Sequence, residues 1–227
     1  MIKNIICIVL IILSFSFISK NNKFNNYVEE DIPYLKNLYI DIHKNPEISL
    51  MEKETSKKLA NELRKVGFDV EENFGGYGVV GILKNGEGPT ILYRTDMDAL
   101  PMEEKTDLPY ASNVITKNFD GNSVGTMHSC GHDMHMTVWT GTARAMVERK
   151  DEWNGTIMMI GQPAEEIGAG AAMMLSAGLY EKFSVPDYGI ALHSSPTIPS
   201  GKVGFGKGYI MANTESVDIK IFGQGSH

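Results

Sequence analysis

One short segment of the sequence concentrates side chains that proteins use to bind metals. MHSCGHDMHM places His128, Cys130, His132 and His135 within eight positions, with Asp133 among them as a candidate to orient an imidazole. Thiolate and imidazole are preferred ligands of borderline divalent metals such as zinc. A closed structural zinc site commonly uses paired CxxC motifs, and the chain has none. The segment therefore predicts an open, catalytic metal site; the alternative is a helix-capping loop.

Two further segments supply carboxylates. RTDMDALP carries Asp96 and Asp98 after an apolar stretch, and GQPAEEIGAG carries the adjacent pair Glu165 and Glu166. Neighbouring side chains point in different directions, so one glutamate can bind a metal while the other remains free to move a proton. The alternatives are solvated turn residues for the two aspartates and a hydrated surface for the two glutamates.

A fourth segment, ALHSSP, contains His193, which is either a further ligand or a hydrogen-bonded packing residue. The four segments together offer up to four metal ligands, namely Cys130, His132, Glu166 and His193. Sulfur, nitrogen and oxygen donors beside an unligated base, Glu165, favour a catalytic site that activates water. We therefore expect a hydrolase. A redox role for Cys130 is the weaker alternative, because no second cysteine lies near it.

The hydrophobic spacing indicates which elements position these segments. It predicts helices over 32–43, 51–66, 135–149 and 170–177, and strands over 78–84, 90–95, 156–160 and 188–193. Ser49 and Glu52 form the S-x-x-E pattern of a capping box for the second helix. Strands that alternate with helices predict an α/β fold with a mixed, mostly parallel sheet flanked by helices. In such sheets, functional residues collect at the carboxyl ends of the strands.

The composition is that of an ordinary globular domain. The 227 residues include 42% hydrophobic and 22% charged residues, and 28 acidic against 21 basic side chains leave a formal charge of -7. The apolar content excludes a largely disordered chain. The mild acidity argues against nucleic acid as the main partner.

The first residues have the pattern of an export signal. Residues 5–18 are uncharged and follow Lys3, and small residues nearby offer a cleavage site. We predict a signal peptide over residues 1–19 and a periplasmic or extracellular protein; a buried helix and an uncleaved membrane anchor are the alternatives. Cys7 would leave with the signal, so Cys130 would be the only thiol of the mature chain and no internal disulfide would form.

Five segments resemble a known family. The chain is similar, from about Leu35 to His227, to the di-metal amidohydrolases that include hippurate hydrolase, N-acyl-amino-acid amidohydrolases and auxin-conjugate hydrolases. The segments are HKNPEISLMEKET, RTDMDALPMEE, GTMHSCGHDMHMT, GQPAEEIGAGA and GQGSH. The resemblance implies a catalytic α/β domain similar to zinc aminopeptidases, with an inserted α+β lid and dimerisation domain. It also implies small N-acyl amino acid or dipeptide-like substrates and a homodimer in the full-length form.

The resemblance implies roles for individual residues. The family's metal ligands correspond to Cys130, His132, Glu166 and His193, and its general base to Glu165. Two divalent ions, Mn or Zn, would polarise the amide carbonyl and activate a water, from which Glu165 removes a proton before protonating the leaving amine. Asp98 resembles a carboxylate that supports the metal site without necessarily binding it. His227 matches a lid histidine that stabilises the tetrahedral intermediate, often in the partner subunit's site.

The resemblance also predicts the domain organisation. We expect an incomplete catalytic domain over 27–211 and the start of the lid over 212–227. In the latter, TESVDIKIFGQGSH alternates apolar Val217, Ile219 and Ile221 in the manner of a strand. Family members continue beyond GQGSH through the lid and a further metal-binding histidine, so we expect a fragment of a longer protein. The alternative is a catalytically inactive truncated remnant that at most binds metal.

Overall fold

The computed structural model of the chain describes residues 27–209, 217 and 219–224. The predicted signal peptide over residues 1–19 lies outside these described residues and stays a prediction. No helix within the described ranges is both long enough and apolar enough to cross a membrane.

The chain divides into two compact units, the first ending at Ser194 and the second beginning at Ser195. The named helices and strands all belong to the first unit. The predicted boundary between a catalytic domain over 27–211 and a lid over 212–227 stays a prediction, because residues 210–216 lie outside the described ranges.

Seven strands are formed in the described part of the first unit. They are β1 (Asp69–Glu71), β2 (Val79–Asn85), β3 (Thr90–Asp96), β4 (Ile115–Lys117), β5 (Ser123–Gly125), β6 (Gly155–Gln162) and β7 (Tyr188–Ala191). Five of them form one sheet in the order β1-β2-β6-β3-β7, and β4 and β5 form a separate hairpin. In the large sheet β6, β3 and β7 are parallel, whereas β2 is antiparallel to β6 and β1 is antiparallel to β2.

The predicted mixed sheet is therefore confirmed, but only two of its four pairings are parallel. The connection between β2 and β3 explains part of the difference. Residues 86–89 are too few for the crossover that two parallel strands need, so β3 runs opposite to β2.

Five α-helices flank the sheet in the described part of the chain, which also contains a short 3-10 helix (Lys150–Glu152). They are α1 (27–44), α2 (Lys53–Lys65), α3 (His132–Glu148), α4 (Gly170–Ser176) and α5 (Leu179–Phe183). The first three contribute Ile42, Leu59 and Trp139 to a core on one face of the sheet, and the last two contribute Met174 and Leu179 to a core on the other. The predicted α/β class, with helices on both faces, is confirmed.

The strands supply both cores by alternation. In β6, Ile157 and Met159 point to the first core, and Met158 and Ile160 point to the second. This period of two is what a strand that is buried on both faces must have. On the first face, the indole Nε1 of Trp139 donates to the carbonyl oxygen of Tyr93 at 3.1 Å, which anchors α3 to β3.

Two predicted helix starts are wrong. Helix α3 begins at His132 rather than at residue 135, because Gly131 adopts φ +82, a left-handed conformation that suits glycine and turns the chain into the helix. Helix α2 begins at Lys53 and has no side-chain cap, so Ser49 and Glu52 do not form the predicted capping box. Both side chains bind more distant partners instead.

The predicted strand near the end of the chain is not formed at the described positions. Val217 and residues 219–224 have no regular secondary structure, and the side chains of Val217, Ile219 and Ile221 are exposed. A strand needs a hydrogen-bonded neighbour, and these residues have none in the described part of the chain.

Candidate metal centre

The candidate ligands collect at one edge of the large sheet. Because β3, β6 and β7 are parallel, their carboxyl ends lie at the same edge. Asp96 ends β3, Glu165 and Glu166 follow β6, and His193 follows β7. The first turn of α3 adds His132 to the same edge, since His132 contacts the loop that leaves β3. The structure thus brings together all four polar segments that the sequence analysis identified.

His132 lies at the centre of this arrangement. Its side chain is fully buried, and its Nδ1 lies 2.8 Å from the carbonyl oxygen of Asp98. A carbonyl oxygen only accepts, so Nδ1 donates the hydrogen bond and Nε2 keeps its electron pair in the neutral ring. Nε2 has no hydrogen-bond partner among the described residues. An imidazole that is held through one nitrogen and free at the other is ready to bind a metal.

Three carboxylate oxygens surround His132 Nε2 beyond hydrogen-bond distance. Asp96 Oδ2 and Glu166 Oε1 each lie 3.6 Å away, and Glu165 Oε2 lies 3.9 Å away. Burial lowers the pKa of His132, but the hydrogen bond and charge of Asp98 and the charges of Asp96 and Glu166 raise it more. These negative charges favour positive charge at this place, which a divalent cation would supply.

Three groups of candidate donors share His132. Within each group the ligand atoms lie within 4.8 Å of one another. The groups are Cys130–His132–His193, Asp96–His132–His135 and His132–Glu165–Glu166. All three groups depend on His132, whose Nε2 is free to bind one cation because its Nδ1 already donates to the Asp98 carbonyl.

Cys130 and His193 form the more accessible group with His132. Cys130 Sγ lies 3.5 Å from His193 Nε2, and His193 Nδ1 donates to the carbonyl oxygen of Ser194 at 2.7 Å. Cys130 is half-buried and His193 is exposed. Burial, together with the charge of Glu166, raises the pKa of the Cys130 thiol to about 12. The thiol is therefore protonated at neutral pH and would lose its proton on binding a cation.

His135, by contrast, is fully used within the protein. Its Nδ1 donates to Asp96 Oδ1 at 2.7 Å, and its Nε2 accepts from the Ser194 amide at 2.8 Å. Arg94 also donates to Asp96, at 2.9 Å. Burial would raise the pKa of Asp96, but the hydrogen bond from His135 and the charges of His132 and Arg94 outweigh it and lower the pKa to about 2. His135 therefore holds Asp96 and has no nitrogen left for a metal.

Asp98 contacts two of the predicted ligands. Besides its carbonyl bond to His132, its Oδ2 accepts from Ser49 Oγ at 2.6 Å and from the Glu166 amide at 3.0 Å. Burial would raise the pKa of the Asp98 carboxyl, but its side-chain contact with His132, whose Nδ1 lies 3.5 Å from Asp98 Oδ1, and the bonds from Ser49 and the Glu166 amide lower it. Asp96 and Asp98 are both buried, so the alternative of solvated turn residues is wrong.

The polar atoms without partners show that the site fits a divalent cation. His132 Nε2 and Glu166 Oε1, which lie 3.6 Å apart, are both buried and lack hydrogen-bond partners within the described ranges. Buried polar atoms are almost always paired in folded proteins, and each unpaired one costs about 1–3 kcal/mol. A carboxylate oxygen and an imidazole nitrogen are ligands that Mn and Zn accept.

Two other residues of the MHSCGHDMHM segment lie apart from this group. His128 is buried and has no hydrogen-bond partner in the described part of the chain, and burial, reinforced by the charges of His132 and His43, lowers its pKa to about 3. Asp133 Oδ2 lies 2.6 Å from His43 Nδ1, so it orients the imidazole of α1 and not that of a candidate ligand. His227, the predicted lid histidine, lies outside the described residues.

Ser49 and Glu52 belong to the site but were predicted as a local cap. Ser49 supports Asp98, and Glu52 Oε1 accepts from the Ala164 amide at 2.6 Å. The family resemblance indicated that both residues could belong to the site, because both lie in the matching segment HKNPEISLMEKET. A spacing rule for helix caps cannot distinguish a local partner from a distant one.

Two pockets lie at different distances from these residues. The larger, of about 1110 Å³, is a groove between α1 and α2 with acidic and basic side chains on its walls and none of the candidate ligands. A smaller pocket of about 270 Å³ reaches Glu166. It is lined by Ile48, Ser49, Leu100, Pro101, Asn118, Phe119, Asp120, Glu166 and Ile167. Of these two pockets, the smaller one is placed to hold part of a molecule that reacts at the site.

Known proteins are similar to this chain in sequence and in fold. Residues 92–226 match the family described as peptidase family M20/M25/M40. The chain is 40% identical over 209 residues to thermostable carboxypeptidase 2 of Saccharolobus solfataricus, covering 90% of this chain and 50% of that protein. It is 39% identical over 187 residues to hippurate hydrolase of Campylobacter jejuni, covering 82% and 46%.

A solved structure supports the same likeness. The YXEP protein of Bacillus subtilis, described as a dinuclear metal binding peptidase from the M20 family, is similar with a TM-score of 0.65 and 37% identity. The match covers 74% of this chain and 44% of that one. The chain spans about half the length of the curated relatives it matches. The predicted resemblance to the family of hippurate hydrolase is confirmed.

Proposed function

The chain belongs to peptidase family M20/M25/M40, and from this premise we propose that the protein is a metal-dependent amidohydrolase. Its substrates would be N-acyl amino acids, which it cleaves to a carboxylate and a free amino acid. The observation that carries the proposal is that His132 Nε2 and Glu166 Oε1 are buried close together without hydrogen-bond partners among the described residues, next to the more exposed carboxylate of Glu165. The relative named hippurate hydrolase supports the choice of substrate class.

Cys130, His132, Glu166 and His193 are the residues that would hold metal, and we propose two Mn or Zn ions. A divalent cation bound there supplies positive charge that polarises a carbonyl oxygen and lowers the pKa of water. Asp98 would keep His132 and Glu166 in place through the bonds it already makes to both. The dinuclear relative of known structure supports the number of ions.

Glu165 is the proposed proton carrier. Its side chain is 38% exposed, against 17% for Glu166, so water and substrate can reach it while it lies close to His132. Glu165 would accept a proton as a water oxygen bonds to the amide carbon. It would then return that proton to the amine nitrogen as the carbon–nitrogen bond breaks. The base is thus regenerated and no other reactant is needed.

The pocket beside Glu166 is the proposed place for the acyl group. Five of its lining residues are apolar, and a volume of about 270 Å³ accepts an aryl or short alkyl group. Asp120 and Glu166 also line it, and two carboxylates disfavour the carboxylate of an amino acid. The amino acid part would therefore extend away from this pocket.

Three further proposals concern parts of the protein outside the described residues. Residues 1–19 would direct export and be removed, which N-terminal sequencing of exported protein tests. His227 would contribute to the active site from the lid. The full-length protein would form a homodimer.

Replacement of the proton carrier tests the proposed function. We expect a longer, Mn-loaded protein that also contains the lid to release free amino acid from N-benzoyl or N-acetyl amino acids, and the 227-residue chain alone to release little or none. Glu165→Gln should lower kcat by about 100-fold or more and leave Mn affinity within about threefold, because it removes a base and not a ligand. Glu87→Gln is the matched control, since Glu87 is exposed in the turn between β2 and β3 at the opposite edge of the sheet.

Two outcomes would contradict the proposal. Turnover that survives Glu165→Gln would exclude Glu165 as the proton carrier. Tight Mn binding without turnover of either substrate type would favour the alternative of a chain that binds metal and does not catalyse.

A further inference from the structure

Glu52 is a buried acid that the proposed mechanism does not use. Its side chain is fully buried at the start of α2, and it makes no side-chain cap to that helix. Burial of a carboxylate is costly unless hydrogen bonds compensate. The partner that it does bind should therefore be important for the fold or for the site.

That partner is the backbone of the loop that carries the two glutamates. Glu52 Oε1 accepts from the Ala164 amide at 2.6 Å, a contact between residues 112 positions apart. Ala164 has φ +48, a left-handed conformation that residues with a Cβ adopt at a cost of about 1–3 kcal/mol. Its carbonyl oxygen accepts from the Ala169 and Gly170 amides at 3.0 and 3.1 Å, so both sides of this residue are held.

Ala164 immediately precedes Glu165 and Glu166, so its conformation sets the direction in which the chain presents them. The segment that contains Glu52 also helps to hold Glu166, through Ser49 and Asp98. Ser49 donates to Asp98, and Asp98 accepts from the Glu166 amide at 3.0 Å. Carboxylates thus hold the amides of both residues 164 and 166. Glu52 binds the first, and Asp98, which accepts a hydrogen bond from Ser49, binds the second.

We propose that Glu52 is a positioning residue, which holds Ala164 in its left-handed turn and thereby directs Glu165 and Glu166 towards His132. The inference rests on the proposed function only in taking Glu166 as part of a metal site. It assigns Glu52 no contact with metal or substrate.

The chemistry of the contact indicates which replacements should work. The bond needs an acceptor at Oε1, which a glutamine amide oxygen also provides. Burial, opposed by the Ala164 hydrogen bond, raises the pKa of Glu52 to about 7, so the environment tolerates a neutral group. Glu52→Gln should therefore preserve the turn. Glu52→Met, of similar length and without an oxygen, should release it.

Hydrogen exchange of the metal-free chain is the first measurement. We expect the Ala164 amide to exchange at least about tenfold faster in Glu52→Met than in the parent chain and to remain protected in Glu52→Gln. Mn affinity is the second measurement. It should fall by about tenfold in Glu52→Met and stay within about threefold in Glu52→Gln.

Glu62→Met is the matched control. Glu62 is also buried on α2, but it binds Tyr34 and Lys65, away from the site. Its replacement should lower the melting temperature of the metal-free chain without changing Ala164 exchange or Mn affinity. If Glu52→Met does not fold, Glu52→Asp replaces it, because a carboxylate shortened by one methylene cannot reach the amide and should show the same losses.

The two readouts separate this inference from the proposed function. Unchanged Ala164 exchange in Glu52→Met, or equal losses in Glu52→Gln and Glu52→Met, would overturn the positioning role. A parent chain that binds no Mn would contradict the proposed metal site, while the exchange measurement would still decide the role of Glu52. Faster exchange with unchanged Mn affinity would also overturn the proposal, since the turn would then not direct the ligands.

Discussion

The metal centre has two halves that differ in how the protein holds them. The inner half consists of Asp96, Asp98, His132 and His135, on β3, the loop after it, and α3. The outer half consists of Cys130, Glu165, Glu166 and His193, in loops after β6 and β7 and before α3. Each inner residue is at most 5% exposed, whereas the outer residues are all partly or largely exposed.

The hydrogen bonds show the same difference. In the inner half, His135 binds Asp96 and His132 binds the carbonyl of Asp98, each at less than 3 Å. In the outer half, the distance between Cys130 Sγ and His193 Nε2 is 3.5 Å, and Glu166 Oε1 has no partner in the described part of the chain. Folding therefore pairs most polar side-chain atoms of the inner half, apart from His132 Nε2 and Asp98 Oδ1, whereas the outer half would be held mainly by the cation that it would bind. Mutations in the two halves should separate stability from metal binding.

Removal of His132 should have the largest effect, because it belongs to all three groups of candidate ligands. We expect His132→Ala to weaken Mn binding by more than about 100-fold. It should also lower the free energy of unfolding of the metal-free chain by about 3 kcal/mol, since it leaves a cavity and an unpaired carbonyl. Isothermal titration calorimetry and urea unfolding in EDTA measure the two effects.

His193→Ala is the matched comparison from the outer half. His193 is exposed, so its removal should weaken Mn binding but change the free energy of unfolding by no more than about 0.5 kcal/mol. Equal losses of stability in the two variants would show that the halves are not held differently.

Low pH should destabilise the inner half because Asp96 becomes protonated. Its pKa is about 2 in the folded protein against the usual 3.8, so its charge stabilises the fold above pH 3.8, and this contribution is lost as the pH falls towards 2. The contribution is about 2 kcal/mol. The stability difference between the metal-free chain and Asp96→Asn should therefore shrink as the pH is lowered from 5 to about 2.5, measured by urea unfolding.

Asp41→Asn serves as the control for general effects of acid, because Asp41 lies on the surface and pairs with Lys58. A difference between the chain and Asp96→Asn that stays constant over this pH range would contradict a stabilising Asp96 charge.

Replacement of Cys130 should have the smallest effect on stability, and it should change the number of protons that are released when metal binds. Cys130→Ala should change the free energy of unfolding by no more than about 0.5 kcal/mol. Because the pKa of the thiol is about 12, its binding to a metal near pH 7 must release a proton. Calorimetry of Zn binding in two buffers of different ionisation enthalpy should therefore count about one proton fewer in Cys130→Ala. An unchanged count would exclude thiolate ligation.

The position of the site at the carboxyl ends of the parallel strands could be predicted from the sequence. Apolar runs alternate with helical spacing, and polar clusters follow three of the runs, at Asp96, Glu165 and His193. Parallel strands place such clusters together whatever the details of packing. That inference needs only the hydrophobic periodicity of the chain, which can be identified in a single sequence.

The supports of the site could not be predicted in the same way. Ser49 and Glu52 match a local capping pattern, yet their partners are Asp98 and Ala164, the latter 112 residues from Glu52. Local spacing contains no information on contacts of this range. The strands β1, β4 and β5 were missed for a simpler reason, because three residues are too short for an alternation to be recognised.

A crystal structure of the chain with bound Zn, using anomalous scattering to locate the ions, tests the central claim most directly. We predict ions at the carboxyl edge of the sheet, with Cys130 Sγ at about 2.3 Å and His132 Nε2 at about 2.0–2.1 Å from zinc. Glu166 and His193 should complete the ligands, and Glu165 should remain unbound. Ions that leave His132 Nε2 free, or that take Glu165 as a ligand in place of Glu166, would contradict the account.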